Sequence, residues 1–299
     1  MNLKKIDWIA VDWGTTNFRA WFIKNDKVLK EVNKPNGIKN IINKNFEDTL
    51  IKNINIPKNI SIRIKIISCG MIGSKQGWID SGYEKNLDLK KNNLVKVKTK
   101  NKYLDFYIVK GISQNNPYDV IRGEETQVLG YLQDNKNFSG IICLPGTHSK
   151  WIKIRNGKIA KFKTYMTGEL FEIISNNSIL SHSIKDKKIN TIVFKNSVLL
   201  SQKKNFNFFE YLFEFRSRTL LSKKKYYPKS ELIAYLIGNE IKSYINNTKA
   251  TKVIIIGSNY NSKLYSKAMQ VLKIKNTIVD SKKTTIAGLK TLFNKFVTL

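Results

Sequence analysis

Asp12 stands just ahead of a Gly-Thr-Thr run in "AVDWGTTNFRAW", residues 10–21. A turn made of Gly14, Thr15 and Thr16 offers backbone N–H groups and hydroxyl donors, which together make a nest for phosphate oxygens. Glycine lets the backbone come close to a ligand. A carboxylate at the end of the preceding apolar run suits a hydrated Mg²⁺ better than it suits the anion. The plain alternative is a hairpin with a capping aspartate. A second pair, Gly146-Thr147, follows another short apolar run in "GIICLPGTHSKW" and is succeeded by His148, which reads either as a phosphate donor or as a packed polar residue. Two such turns weigh more than one. Between them, "RGEETQVLG" sets Glu124 beside Glu125. One helical step is about 100°, so the two acids cannot face one partner equally. Arg19 and Arg122 sit in these motifs in a chain whose cations are mostly lysine, and an arginine fork pairs bidentately with carboxylate or phosphate.

Strands are expected at 6–13, 18–24 and 27–33, with a turn at "KNDK", then a helix at 46–55 and a strand at 61–69. The lysine-rich stretch 80–103 reads as a surface loop or insertion. "YLDFYIVKG" reads as a strand and "DVIRGEETQVLGYLQ" as a helix capped by Asp119. The second half starts again in the same manner. It has strands at 140–144 and 149–155, an Asn-Gly hairpin at 156–157, a third strand, and a helix from about Thr167. "SELIAYLIGNEIKSYI" reads as a helix, with Gly238 and Glu240 placed near a nucleotide. "KVIIIGSNYNSKLYSKAMQVL" reads as strand, glycine turn and helix, "NTIVD" as a short strand, and "TTIAGLKTLFNKF" as a closing helix. Each half therefore opens with three antiparallel strands, the first two joined by a Gly-Thr turn. Two such halves would leave a cleft between them.

The chain has 299 residues, 41% of them hydrophobic, enough for real cores. No apolar run approaches the ~18 residues of a membrane span. "IDWIAVDW" carries two aspartates where a signal peptide needs an apolar stretch, so a cytoplasmic protein is expected. Cys69 and Cys143 each end an apolar run, lack metal spacing, and read as buried thiols. The net charge of +31 is spread along the chain among asparagine and isoleucine. That is compositional drift rather than a nucleic-acid footprint, though the field still attracts anionic ligands. No specific nucleic acid and no membrane are expected as partners, and a homodimer is left open.

"DWGTTNFRAW", "LPGTHSKW" and "VIIIGSNYNSKLYSKAMQVL" resemble the two phosphate motifs and the adenosine motif of the sugar-kinase, hexokinase, actin and Hsp70 superfamily. "CGMIGSKQGW", "RGEETQVLG", "LPGTHSKW" and "YMTGEL" in that order resemble one family within it, 2-dehydro-3-deoxygalactonokinase. The resemblance runs essentially end to end, weakest over 80–103 and 183–210. It implies an α/β fold of two ribonuclease-H-like, actin-like ATPase domains. Each would repeat a βββαβαβα pattern about a central cleft, 1–132 on the sugar-acid side and 138–299 on the nucleotide side. It implies ATP and Mg²⁺ as cofactors, and phosphorylation of 2-dehydro-3-deoxy-galactonate at its 6-hydroxyl in galactonate breakdown. The other readings are a kinase for another keto-deoxy sugar acid and a non-catalytic ATP-binding clamp.

Carried onto this sequence, the resemblance gives Glu124 the role of base, with Glu125 as runner-up. The family's relatives often have aspartate there, so glutamate is a departure. Asp12 would serve the metal. Gly14, Thr15, Thr16, Gly146, Thr147, His148, Gly257 and Ser258 would serve the nucleotide. Arg19, Gly70, Met71, Ser74, Trp78 and Arg122 would serve the sugar acid. Thr167, Gly168 and Glu169 at a helix start, and Arg216 and Arg218 in "FEFRSRTLL", are further polar candidates.

Overall fold

The computed structural model describes residues 6–57, 60–85, 93–186, 188–222, 224–248, 252–258 and 260–297. They fall into two compact units, 1–138 with 281–299, and 139–280.

The first unit is built on a six-stranded sheet. The chain runs through β1 (Trp8–Trp13), β2 (Phe18–Lys24) and β3 (Lys27–Lys34), then helix α1 (Phe46–Ile54) and β4 (Ile64–Cys69). It continues through β5 (Tyr83–Glu84), β6 (Leu94–Val97), β7 (Leu104–Val109), β8 (Gly111–Asn115) and β9 (Tyr118–Ile121) to α2 (Glu124–Asp134). The sheet order is β3-β2-β1-β4-β7-β6, with β5, β8 and β9 in a small sheet of their own. β1 pairs antiparallel with β2 and parallel with β4. Its near-continuous apolar run is what a strand covered on both faces requires. Ile9, Val11 and Trp13 pack toward α1, and Trp8 and Ala10 pack the other way.

The second unit repeats the plan with β10 (Gly140–Leu144), β11 (Ser149–Arg155) and β12 (Lys158–Tyr165), followed by helices α3 (Thr167–Asn177), α4 (Thr191–Ser201), α5 (Phe208–Leu221) and α6 (Pro228–Thr248). β13 (Lys252–Ile256), α7 (Tyr260–Val271), β14 (Lys275–Val279) and α8 (Ser281–Phe296) complete the chain. Its sheet order is β12-β11-β10-β13-β14, which matches β3-β2-β1-β4-β7 strand for strand, including the parallel central pairs. This is the duplicated ribonuclease-H-like core of an actin-like fold. Both opening hairpins turn on two consecutive residues of positive φ, Asn25-Asp26 and Asn156-Gly157, as two-residue turns demand.

Three expectations are corrected. Residues 118–121 form strand β9 instead of the start of a helix, because β-branched Val120 and Ile121 pair with β8 and Gly123 takes φ +108°. Within 80–103, residues 83–84 and 94–97 are strands, and β6 edges the main sheet; 86–92 lie outside the described residues. The closing helix α8, read with the second half, belongs to the first unit. There Trp8 stacks on Phe293 at 4.5 Å, and Leu289 and Leu292 enter the core beside Cys69. Cys69 and Cys143 are buried free thiols.

Candidate active site

The acids of the first unit meet because three chain breaks coincide. Strand alternation sends Trp13 into one core and Asp12 to the opposite face. Asp12 lies in register with Cys69 at the end of β4, and the chain then turns at Gly70 with φ +95°. A Cβ at Gly70 would come within 2.8 Å of the Trp13 carbonyl and 3.3 Å of Asp12 Oδ1, so only glycine fits. A Cβ on Gly123 would lie 3.3 Å from the Gly70 Cα. Helix α2 starts immediately after, bringing Glu124 and Glu125 to this junction.

The two glutamates take different environments. Glu125 is fully buried and accepts from the Gly123 N–H at 2.6 Å and from Thr126 Oγ1 at 3.0 Å. Burial first, and the neighbouring Glu124 second, push its pKa up to about 7. Glu124 is partly exposed and accepts from the Arg122 N–H at 3.0 Å. Asp12 retains 20% side-chain exposure and pairs with Arg19 at 3.3 Å. Its pKa is raised by burial, lowered by Arg19, and raised again by the charge of Glu124. Asp12 therefore pairs with the Arg19 guanidinium and feels the charge of Glu124, while Glu125 is fully buried.

The first Gly-Thr turn stands beside this cluster. The carbonyls of Gly14, Thr15 and Thr16 accept from the N–H groups of Ile38, Lys39 and Gly37, while Thr15 and Thr16 stay exposed. The turn is thus fastened by its carbonyl side. The second turn is fastened differently. The Thr147 carbonyl accepts from the Glu169 N–H at 2.9 Å, and a Cβ on Gly168 would run into the Gly146 carbonyl. His148 Nε2 and a Glu169 carboxylate oxygen are bonded. Gly14 and Gly146 share a telling property. Neither has a left-handed φ, and a Cβ would meet nothing nearer than 3.7 Å and 3.6 Å respectively. The fold does not require glycine at either place; the missing side chain leaves room for something to approach the backbone. In the second turn the position equivalent to Asp12 is Leu144, so no carboxylate stands at that place in the second unit.

Several predicted residues are turned inward. The Arg122 side chain is 4% exposed. Its Nη1 donates to Ser81 Oγ at 2.5 Å, its Nη2 to the Gly82 carbonyl at 3.1 Å, and it lies 4.3 Å from the Tyr83 ring centre. That guanidinium holds the loop 81–83. Ser74 is buried, with Oγ donating to the Met71 carbonyl at 2.8 Å. Trp78 packs between Phe46 and Phe106, at 6.3 Å and 4.8 Å between ring centres. It also lines a cavity of about 300 Å³ with Lys44, Lys98 and Lys100. Gly257 is closed off by Ser262 at the start of α7, while Ser258 is exposed. Gly238 packs on Ser201 of α4. Arg218 is bound by Glu231 at 2.6 Å.

One feature escaped the sequence reading, and Glu240, read as placed near a nucleotide, is a buried residue. Ser81 and Gly82, which cradle Arg122, carry no signal in the sequence. Glu240 is 3% exposed and accepts from Ser149 Oγ at 2.8 Å, Trp151 Nε1 at 2.6 Å, Tyr265 OH at 2.7 Å and Thr167 Oγ1. Its position was legible as an acid in the stripe Ile233, Ile237, Ile241 and Tyr244 that faces the core.

The donor set fits a hydrated cation. The charges of Asp12 and Glu124 act on each other, and among the described residues no three His, Cys, Asp or Glu side chains gather into a cage. Mg²⁺ typically keeps several waters and takes one or two carboxylates beside phosphate oxygens.

The profile of the family described as 2-keto-3-deoxy-galactonokinase matches residues 12–292. A relative from Rhizobium meliloti, "Probable 2-dehydro-3-deoxygalactonokinase DgoK1", is 31% identical over 94% of this chain and 94% of its own. The Escherichia coli 2-dehydro-3-deoxygalactonokinase is 26% identical over 95% of this chain and 97% of its own. A crystal structure from Sinorhizobium meliloti, named for the same enzyme, superposes with a TM-score of 0.87 at 30% identity, covering 98% of this chain and 97% of that one. The chain belongs to the 2-keto-3-deoxy-galactonokinase family.

Proposed function

We propose that the protein transfers the γ-phosphoryl group of ATP to the 6-hydroxyl of 2-dehydro-3-deoxy-D-galactonate. The observation that carries the reading is the meeting of Asp12, Arg19 and Glu124 beside an exposed Gly-Thr turn, in a chain that matches the family across nearly its whole length.

Glu124 is the base. It is the partly exposed member of the acid pair, and phosphoryl transfer to a hydroxyl needs one carboxylate to take the proton. The O6–Pγ bond forms as the bond from Pγ to the β,γ-bridging oxygen breaks; the hydroxyl proton goes to Glu124 and ADP leaves. Glu125 is a positioning residue, fixing the Gly123 amide and so the start of α2. Arg19 holds Asp12 and offers its remaining N–H donors to an anionic substrate. Arg122 acts at one remove, by fixing loop 81–83. The Gly-Thr turns serve the nucleotide phosphates, and Gly257 and Ser258 its adenosine end. When bound, Mg²⁺ is held through Asp12 and neutralises phosphate charge.

The test is product identification. The protein, MgATP and the keto-sugar acid are incubated and followed by ³¹P NMR. A phosphate monoester split into a triplet by one CH₂ group is expected. Formation of ADP and inorganic phosphate without an ester would reject the reading.

A further inference from the structure

Glu240 has no part in the chemistry just described, yet it is a buried acid that accepts from four side chains. Four donors from four places converge on it. They are Ser149, directly after His148; Trp151, two residues further along β11; Thr167, the first residue of α3; and Tyr265 of α7. All four are neutral, and no lysine or arginine faces the carboxyl in this set. Its pKa is raised by burial, against the lowering effect of these hydrogen bonds. Burying an acid without a cationic partner costs free energy, so a core built for stability alone would be served as well by an apolar residue.

What Glu240 joins is specific. Thr167 precedes Gly168, whose missing side chain lets α3 sit on the Gly146 carbonyl. Ser149 ends the other side of the same turn. A single carboxyl therefore ties Ser149, at the end of the second Gly-Thr turn, to Thr167, at the start of the helix that packs on that turn. Directional hydrogen bonds to two flanking hydroxyls fix a backbone more narrowly than apolar contact does.

We infer that Glu240 is the positioning residue of the second phosphate turn, setting the conformation in which Gly146 and Thr147 meet nucleotide phosphate. The inference rests on the reading of that turn as a phosphate site. Glutamine cannot replace the acid without cost, because four donors would then face one acceptor oxygen and an NH₂ group, and the Trp151 N–H cannot reverse.

The experiment compares Glu240→Gln, Thr167→Val and Thr167→Ser with Glu231→Gln. The last alters another buried acid of α6, one that pairs with Arg218 away from the turn. Steady-state KM for ATP and for the sugar acid, calorimetric Kd for a non-hydrolysable ATP analogue, and Tm are measured for each. Glu240→Gln and Thr167→Val are expected to raise KM and Kd for nucleotide about tenfold, with KM for the sugar acid changed less than about twofold. Thr167→Ser restores the wild-type value, and Glu231→Gln lowers Tm without touching nucleotide affinity. A Glu240→Gln protein with lowered Tm and unchanged nucleotide Kd overturns the inference. Gly146→Val separates the two claims. If it leaves nucleotide Kd unchanged, the phosphate reading of the turn fails and the inference falls with it. If it weakens binding while Glu240→Gln does not, the inference alone is wrong.

Discussion

At the scale of single residues, the two adjacent glutamates take different environments, Glu124 partly exposed and Glu125 fully buried. Glu124→Gln should lower kcat about 10²-fold or more while a calorimetric Kd for nucleotide barely moves. A rate within twofold of wild type would take the base role away from Glu124. Glu125 makes a prediction about stability. Its folded pKa is about 7, against a reference value of 4.5, so the folded protein holds a proton that the unfolded chain has released between those values. Folding is therefore favoured by this group at low pH, and that advantage is lost as pH rises from about 4.5 through about 7. Glu125→Gln mimics the protonated form. Its Tm should match wild type near pH 5 and exceed it near pH 8, and equal Tm differences at both pH values would contradict the assignment.

At the scale of elements, the helix that carries these acids is set by a close crossing. A Cβ on Gly130 of α2 would run into the Thr284 carbonyl of α8, and one on Gly288 of α8 would run into the Thr126 carbonyl, next to Glu125. Both contacts are backbone, so neither can be relieved by a rotamer change. Gly288→Val should lower Tm by several degrees, as overpacking by about 1–3 kcal/mol does, and should lower kcat as well because α2 moves with it. A Tm loss with unchanged kcat would detach α8 from the site. Much of this scale was legible in advance. The alternating and continuous apolar runs located β1, β2, β10 and β11, and Asn-Gly located the second hairpin. What was not legible were contacts decided by tertiary structure. β9 was hidden inside a helix-like sequence because it is the edge strand of a small sheet and, among the described residues, pairs with β8 alone. The home of α8 depends on Trp8, some 280 residues away. The inward turn of the Arg122 guanidinium was not legible because motif position says nothing about which way a side chain turns, and Ser81 and Gly82 gave no warning. Asp12 and Gly70 were readable as a pair only once β1 and β4 were set side by side.

At the scale of the whole molecule, two copies of one strand order have diverged in what their turns carry. The first has Asp12 before its Gly-Thr turn where the second has Leu144, and the second adds Glu240 beneath its own. The net charge of +31 surrounds both units with a field that favours anionic ligands. Raising salt from 50 to 500 mM should therefore raise KM for both ATP and the sugar acid, with kcat less affected, since screening acts on encounter rather than on the bound complex. KM values flat across that range would mean that the lysine-rich surface plays no part in substrate capture. The central claim is sugar-acid-dependent phosphoryl transfer with the galactonate-derived stereochemistry. It is tested most directly by coupled ATP turnover of the purified protein with Mg²⁺ on 2-dehydro-3-deoxy-galactonate, on its gluconate epimer, and without sugar. The account predicts rapid turnover on the first, slower turnover on the epimer and almost none alone; equal ATP consumption with and without sugar acid would contradict it.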